Sequence, residues 1–388
     1  MKFSCAIIAG ELSADILGSE IIKSTNKDIK WFGVGGPSMK NNGLKSVMNW
    51  ELIKGFGIGD LILSLPKIFL SLNILSKILL ENKPDLILTV DTKGFNFLLV
   101  RLIKYKIKSK NWEPKFIHVV APTVWAWRPN RSKKIKHLFD KLLCLFPNEP
   151  DFFIKHGIDA VAVGHPAVER FSYKKEKIDF LKLINKNKTN KKILAILPGS
   201  RSSEIRRMLP VLLGALEILK SKLEDPPLFL LQVAVDQKEL IKNIINKRSD
   251  IINIDNLSHG DLLTRNADFA ILACGTATLE YSLAGVPSIA IYKSGFISAF
   301  IGRRLINMNN VVLPNWLLGK NLMEFLFQED CTSKIIANLI INMIDDNNIK
   351  FEAQKASIDL KKLLFVNKKS FKQNVKKIIY NQLSFKTI

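Results

Sequence analysis

Short apolar runs typical of β-strands alternate with longer segments of helical periodicity, and this alternation constrains the fold more than any other feature. In the second half of the chain the strand-like runs are Ile193 to Leu197, Leu228 to Val233, Ile251 to Ile254, Phe269 to Leu272 and Ser288 to Tyr292. Strands that are separated by helices pair in parallel, and helices then cover both faces of the sheet. The second half therefore predicts an α/β domain with a doubly wound parallel sheet.

The first half shows the same rhythm with less regular spacing. Its strand-like runs are Phe3 to Ile8, Leu86 to Val90, Phe116 to Val120, Leu142 to Phe146 and Ala160 to Val163. A second sheet of the same kind follows from them, so the sequence predicts two Rossmann-like domains. A chain of 388 residues is long enough for two domains of middle size, with a cleft between them.

A polar, lysine-rich stretch from about Phe171 to Asn190 marks the predicted hinge. The predicted domains are therefore residues 1–175 and residues 190–357. The last segment, 358–388, has apolar residues at helical spacing among many lysines, which indicates one or two basic amphipathic helices. These helices are predicted to pack back on the N-terminal domain.

The formal net charge of +23 restricts the partners without selecting one. A positive electrostatic field of this size attracts nucleic acid, anionic lipid head groups or phosphorylated substrates. A compositional bias toward lysine explains the charge equally well. The most lipophilic stretch, Phe56 to Leu80, is interrupted by polar residues and lacks the ~20 successive apolar residues that span a bilayer. Its helical spacing fits either packing in a core or an amphipathic helix on a lipid surface.

The cysteines are far apart in the sequence and mostly lie in strand-like runs: Cys5, Cys144, Cys274 and Cys331. Their spacing fits no CxxC motif, so no zinc site is predicted. The cysteines are therefore expected to be reduced and buried, as thiols in a cytosolic protein.

Glycine-containing loops follow predicted strands, at the positions where parallel sheets bind ligands. The loops are Gly10 to Asp15, Gly33 to Pro37, Pro198 to Arg201 and Cys274 to Thr278. None has the G-x-G-x-x-G pattern of dinucleotide sites, and the chain has no G-x-x-x-x-G-K-[ST] sequence. NAD binding and P-loop phosphoryl transfer therefore lose their main support, and a tight turn is the alternative for each loop.

Two loops of the second half carry charged residues suited to a diphosphate. Arg201 would place a guanidinium beside the start of a helix, with Glu204 on the same opening turn. The helix after Gly275 would offer N–H groups to phosphate, and Glu280, one turn further, would accept hydrogen bonds from ribose hydroxyls. The alternatives are an exposed surface arginine at position 201 and, at position 280, an acidic residue that complements the helix dipole.

Around these residues the sequence resembles the lipid-A-disaccharide synthases, a family of bacterial inverting glycosyltransferases of the GT-B type. The resemblance extends from residue 5 to about residue 330. It rests on Ala9-Gly10-Glu11 with Ser13, Asp15 and Gly18; Gly35 to Met39; Asp91 with Phe95-Asn96; Pro122 to Arg128; Gly164-His165-Pro166; Leu197 to Arg201 with Glu204-Ile205; and Gly275 to Glu280. The tryptophan segment, Pro122 to Arg128, and the Gly-Ser-Arg element after it are the most specific parts.

The resemblance implies that UDP-2,3-diacylglucosamine condenses with 2,3-diacylglucosamine 1-phosphate to give a β-1,6-linked disaccharide 1-phosphate and UDP. It places the reaction in the cytoplasm, on the cytoplasmic face of the inner membrane, with the protein bound peripherally and no role for nucleic acid. No metal or other cofactor is implied. A basic surface and a lipophilic segment suit substrates that are both acylated and anionic.

Inverting transfer needs a base for the acceptor hydroxyl and a group that stabilises the departing diphosphate. Asp91 is the expected base, with Glu11, Asp15 and His165 as substitutes. The alternative for Asp91 is a loop aspartate that caps a helix starting near Phe95. Arg201 is expected to compensate the charge on the leaving UDP.

The remaining expected contacts divide between the two substrates. The donor residues are Gly199, Ser200, Arg201, Glu204, Gly275, Thr276, Glu280, Asn315 and Gln328. The acceptor residues are Ser13, Asp15, Trp125, Trp127, Arg128 and His165. The two tryptophans fit core positions as well as they fit contacts with sugar or acyl chains.

Several positions depart from the family pattern: Ala14, Gly94, Cys274 and Phe325. Gly94 replaces a second aspartate near the expected base, and Phe325 replaces an acidic residue. Two other interpretations stay open: a UDP-N-acetylglucosamine 2-epimerase or peptidoglycan glycosyltransferase of the same architecture, and a basic membrane- or nucleic-acid-binding protein without catalysis. The tryptophan segment disfavours the first, and the charged strand-end loops disfavour the second.

Overall fold

The computed structural model describes residues 3–25, 27–53, 61–122, 135–171, 180, 190–234, 237–246, 248–295, 311–366 and 369–384. The chain divides into two compact units. Unit 1 comprises Met1–Pro166 and Leu364–Ile388, and unit 2 comprises Ala167–Leu363.

Unit 1 is built on one parallel sheet. Its strands are β1 (Phe3–Ala9), β2 (Ile29–Val34), β3 (Lys45–Ser46), β4 (Leu86–Val90), β5 (Lys115–Val119), β6 (Lys141–Cys144) and β7 (Ala160–Ala162), in the order β3-β2-β1-β4-β5-β6-β7. The helices between them are α1 (Leu12–Ser24), α2 (Pro37–Asn41), α3 (Leu61–Asn82), α4 (Lys93–Ile107) and α5 (Pro150–Lys155). Both faces of the sheet are covered, which is why β1 and β4 are apolar without alternation.

Unit 2 repeats this plan. Its strands are β8 (Ile193–Leu197), β9 (Leu228–Val233), β10 (Ile251–Asp255), β11 (Phe269–Ala273), β12 (Ser288–Tyr292) and β13 (Glu324–Phe327), all parallel, in the order β10-β9-β8-β11-β12-β13. Its helices are α6 (Ala167–Arg170), α7 (Ser202–Lys222), α8 (Lys238–Ile245), α9 (Asn256–Asn266), α10 (Thr276–Leu283), α11 (Leu313–Leu318), α12 (Ser333–Asp345) and α13 (Ile349–Leu364).

The strand order determines where ligands can bind. In unit 1, β1 pairs with both β2 and β4, and in unit 2, β8 pairs with both β9 and β11. The connections run in opposite directions from these central strands, so the loops after β1 and β4, and after β8 and β11, diverge and leave a crevice. The glycine loops at residues 10, 199 and 275 therefore lie at the topological switch points of the two sheets.

The last helix, α14 (Phe371–Ser384), returns to unit 1 and packs on α1. Val375, Ile379 and Leu383 join the core formed by β1 and α1. The side chain of Asn374 donates a hydrogen bond to the carbonyl of Val163, just after β7 (3.1 Å). The predicted return of the C-terminal helices to the N-terminal domain is thus confirmed for α14.

The predicted fold class is confirmed: both halves are parallel, Rossmann-like α/β units. Every predicted strand is present, with ends within two residues of the predicted ones. Of the other strands, β2 was implied only by the glycine loop at Gly33, and β3 and β13 were not predicted. β3 has two residues and β13 begins with an exposed glutamate, so neither carries the long apolar signal of a central strand. The predicted hinge lies almost wholly outside the described residues.

The lipophilic segment is partly buried and partly exposed. In α3, Leu72, Leu75 and Leu79 are buried in the core of unit 1, whereas Phe69 and Leu70 are 61% and 62% exposed. No helix among the described residues has both the length and the apolar character needed to cross a membrane.

Candidate active site

The loop after β8 is held by Glu204. The N–H groups of Ser200 and Arg201 both donate to Oε2 of Glu204, at 3.2 and 3.4 Å. Gly199 has φ of +110°, and a methyl group there would come within 2.6 Å of the same oxygen. Only glycine fits this position, because the carboxylate folds back against the backbone. Glu204 therefore shapes the loop, as the acidic residue of a capping box does.

Arg201 precedes α7, and its side chain is 56% exposed with Glu204 at 3.9 Å. A second guanidinium, that of Arg207, donates to the carbonyl of Ser203 (3.0 Å). Burial raises the pKa of Tyr292 at the end of β12, as does Glu204, whereas Arg201 and Arg207 lower it. Arg201, Arg207 and Glu204 thus all lie close enough to the end of β12 to act on Tyr292.

The helix α10 begins at an open N-terminus. Gly275 is its N-cap residue and has no side chain to accept the first N–H groups, and both Gly275 and Thr276 are exposed. The hydroxyl of Thr278 donates to the Gly275 carbonyl (2.7 Å) and does not cap the first N–H groups of α10. Burial raises the pKa of Cys274 to about 12, so this thiol adds no negative charge. An anion would meet unsatisfied donors here.

Glu280 lies on the second turn of α10 and is bound by Arg170 of α6. Nη2 of Arg170 is 2.5 Å from Oε1 of Glu280, whose side chain is 26% exposed. Burial raises the pKa of Glu280, and the Arg170 guanidinium opposes that rise. Glu280 therefore has a specific cationic partner, and it lies beyond the first helical turn that the dipole alternative assumed.

Asn315 and Gln328 use their amide groups inside unit 2. Asn315 accepts from the N–H groups of Leu322 and Met323 (3.1 and 3.0 Å) and donates to the carbonyl of Met323 (2.8 Å). Gln328 accepts from the N–H of Ser294 (2.7 Å) and donates to its carbonyl (3.3 Å). Both residues therefore hold the loops beside β12 and β13.

In unit 1 the loops after β1 and β4 meet. The N–H of Gly10 donates to Oγ1 of Thr92 (3.1 Å). Asp91 and Thr92 are successive residues in the left-handed region, with φ of +44° and +43°. The side chain of Asn96 donates to the Asp91 carbonyl (2.9 Å) and holds this turn. Thr92 is the N-cap of α4, so the alternative that Asp91 occupies the cap position is wrong.

The neighbouring strand ends in a similar way. Val120, directly after β5, has φ of +79°, although its branched side chain disfavours that conformation. Strained residues that are kept by their surroundings cluster at functional sites. The ends of β4 and β5 are adjacent, so Asp91, Thr92 and Val120 mark one strained edge of the unit 1 sheet.

The other described residues predicted to contact the acceptor, or to serve as alternative bases, follow β1 and β7 of the same sheet. Ser13 is exposed on the first turn of α1, and Glu11 is its half-buried N-cap. His165, after β7, stacks parallel to Phe146 with ring centroids 6.1 Å apart. Trp125, Trp127 and Arg128 lie outside the described residues.

Asp15 differs from these residues because it is fully buried. Its two oxygens accept from the N–H groups of Ser38 (2.8 Å) and Met39 (3.0 Å), which caps α2. We therefore assign Asp15 to fixing α2 and not to contact with a substrate, which corrects the sequence-based expectation.

Sequence reasoning missed Arg170, Asn96 and Arg207. Arg170 and Glu280 are 110 positions apart, and no local pattern signals their contact. Asn96 belongs to the family motif of Asp91 with Phe95-Asn96. Its spacing of five residues from Asp91 is the one sequence signal for the turn that its side chain holds.

Several solved structures share this architecture, and among them is one with bound UDP-GlcNAc. A UDP-GlcNAc 2-epimerase from Neisseria meningitidis, crystallised with UDP-GlcNAc, superposes with a TM-score of 0.63 at 12% identity and covers 99% of this chain and 100% of its own. The spinosyn rhamnosyltransferase SpnG gives 0.58 at 11% identity, over 98% and 100%. These likenesses establish the fold. Two Rossmann-like units, each a parallel sheet covered by helices, define a protein of the GT-B fold.

The family follows from the sequence comparisons. The model of the lipid-A-disaccharide synthetase family matches residues 5–379. The lipid-A-disaccharide synthase of Acinetobacter baylyi is 31% identical over 363 residues, which cover 90% of each chain. The chain belongs to the lipid-A-disaccharide synthetase family, and it is a glycosyltransferase of lipid A biosynthesis that uses a UDP-sugar and a lipid acceptor.

Two glycines of unit 2 offer a matched test of how the loops are built. We expect Gly199→Ala to lower the free energy of unfolding by about 2 kcal/mol, because alanine is strained at positive φ and displaces Glu204. Gly275→Ala, which has nothing within 4 Å of the added methyl group, should cost less than about 1 kcal/mol. Urea unfolding of the full chain measures both, and equal losses would contradict the role given to Glu204.

Proposed function

We propose that the chain transfers the sugar of UDP-2,3-diacylglucosamine to 2,3-diacylglucosamine 1-phosphate and releases UDP. Unit 2 binds the donor and unit 1 binds the acceptor, each at the carboxyl edge of its sheet. The observation that carries this proposal is the pairing, on adjacent strands β8 and β11, of an exposed arginine with an uncapped helix N-terminus. That combination suits a diphosphate.

The donor site follows from the contacts in unit 2. The first N–H groups of α10 and the guanidinium of Arg201 compensate the charge that develops on the departing diphosphate. This compensation needs no metal or other cofactor. Glu280 accepts hydrogen bonds from the ribose hydroxyls. Glu204 acts indirectly, because its carboxylate holds the loop that carries Arg201.

The acceptor step is assigned to Asp91. A β-1,6 linkage requires the 6-hydroxyl of the acceptor to lose its proton as the oxygen attacks the anomeric carbon and the bond to UDP breaks. Asp91 takes that proton, and the strained turn held by Asn96 fixes its backbone. Glu11 and His165 are the alternative bases. The burial of Asp15 argues against Asp15 as the base.

Unit 1 also has a surface suited to a lipid bilayer. Phe69, Leu70 and Ile74 of α3 are 61%, 62% and 40% exposed, and Leu98 of the adjoining α4 is 44% exposed. The exposed residues Lys67, Lys77 and Arg101 accompany them on the same two helices. Apolar side chains beside cations fit an anionic membrane surface, and both substrates are lipids. We therefore place the protein peripherally on the cytoplasmic face of the inner membrane.

The proposed role of Arg201 can be tested by substitution. With the two acylated glucosamine substrates, we expect Arg201→Ala to lower the rate of UDP release at least about a hundredfold, because charge on the leaving group is no longer compensated. Arg206→Ala removes an exposed arginine of the same helix and should keep the wild-type rate. A wild-type rate for Arg201→Ala would remove Arg201 from the mechanism, and no UDP release from the wild type would refute the proposed function.

The second prediction concerns the base. We expect Asp91→Asn to lower kcat about a hundredfold or more while the chain stays folded, because an amide does not accept the proton. Asp151→Asn, an exposed aspartate of α5, is the control. If Asp91→Asn retains the wild-type rate over the whole pH profile, the base is another residue.

The third prediction concerns the membrane. We expect the double substitution Phe69→Ser and Leu70→Ser to weaken binding to anionic lipid vesicles at least about tenfold, since two exposed apolar side chains no longer enter the lipid. Phe351→Ser removes a phenylalanine of unit 2 that is 65% exposed and should change vesicle binding little. Equal losses in co-sedimentation would show that the surface of α3 is not the contact.

A further inference from the structure

Arg170 ends α6, the short helix that opens unit 2, and its guanidinium is directed at acidic groups on two other helices. Besides the contact with Glu280 at 2.5 Å, Nη1 lies 3.5 Å from Oδ1 of Asp261 on α9. The side chains of Arg170 and Glu280 are 21% and 26% exposed. A pair so shielded is held more firmly than an ion pair on an open surface.

The position of Arg170 is itself fixed by its neighbours. The guanidinium of Arg265 on α9 donates a hydrogen bond to the carbonyl oxygen of Arg170. The guanidinium carbons of Arg170 and Arg265 lie 5.3 and 5.8 Å from the ring centroid of Phe171. These contacts hold both the backbone and the side chain of Arg170, so its approach to α10 is built into the fold of unit 2.

We propose that Arg170 is a positioning residue of the donor site, which holds the Glu280 carboxylate in place as an acceptor for the ribose hydroxyls of a uridine diphosphate. The inference rests on the donor role proposed above for Glu280. A guanidinium is planar and permanently charged, so it fixes the orientation of a carboxylate and also favours its ionised form. Arg170 acts through Glu280 and need not touch the nucleotide.

The charges around Glu280 make this role testable by pH. The helices packed against α10 carry Glu169 and Arg170 (α6) and Asp261 and Arg265 (α9). Of these groups Arg170 and Asp261 act directly on Glu280, which in turn acts on its neighbour Tyr281. Burial raises the pKa of Glu280 and Asp261 raises it further, whereas Arg170 lowers it. Without Arg170 the carboxyl would take up a proton at a higher pH. A protonated carboxyl is a poorer acceptor for two hydroxyls.

The test is the dissociation constant of UDP, measured by calorimetry between about pH 6 and pH 9 on the full chain. We expect Arg170→Met to weaken UDP binding about tenfold near neutral pH, with a loss that grows as the pH falls. Arg170→Lys keeps a cation and should recover part of the affinity.

Arg248→Met is the matched control. Arg248 is 20% exposed, binds Asp250 and Glu217, and precedes β10 at the amino edge of the sheet, away from the switch point. Its loss removes an equally shielded arginine of unit 2. UDP affinity should then stay at the wild-type value at every pH.

A double-substitution cycle distinguishes failure of the positioning role of Arg170 from failure of the donor role of Glu280. We expect Glu280→Gln to weaken UDP binding about tenfold with little dependence on pH, and Arg170→Met to add nothing in that background. If Glu280→Gln weakens binding but Arg170→Met does not, or if the two losses add, the positioning role is overturned and the donor role of Glu280 stands. Wild-type affinity in Glu280→Gln would overturn the donor role and the positioning role together.

Discussion

Parallel pairing of β1 with β4, and of β8 with β11, is the constraint on which the rest of the structure depends. At these pairs the chain stops adding strands on one side of the sheet and continues on the other, so the two loops leave toward opposite faces. The divergence opens a crevice where backbone N–H groups are accessible. It brings Gly10 against Thr92 in unit 1 and puts the loop of Arg201 beside the start of α10 in unit 2.

At these crevices the protein satisfies some N–H groups with its own carboxylates and leaves others open. Asp15 caps α2, and Glu204 occupies the N–H groups of the loop before α7. Gly275 gives α10 no such acceptor. Near α2 or the loop before α7, a phosphate would compete with the carboxylate of Asp15 or Glu204 for the N–H groups. At α10 it would meet no such competitor. We therefore propose the start of α10, which lies beside the loop of Arg201, as the anion site of unit 2.

Much of this arrangement was predictable, because strand periodicity and glycine loops are local properties of the sequence. The apolar runs located the central strands, and the glycine pattern located the loops at residues 199 and 275 at the ends of strands. The roles of Asp15, Asn315 and Gln328 were not predictable. Each has the polar chemistry of a ligand group, but each is hydrogen-bonded to backbone partners between 7 and 34 positions away. Arg170 was missed for the same reason, since its partner is 110 positions distant.

The sequence by itself determined the two parallel sheets, the position of the glycine loops and membership of the lipid-A-disaccharide synthetase family, because alternation of strands and helices and the family motifs are written along the chain. Only the tertiary structure decided which polar groups are available to substrates. Whether a carboxylate or an amide is free depends on which N–H groups and cations the fold brings within about 3 Å of it, and those neighbours come from distant parts of the sequence.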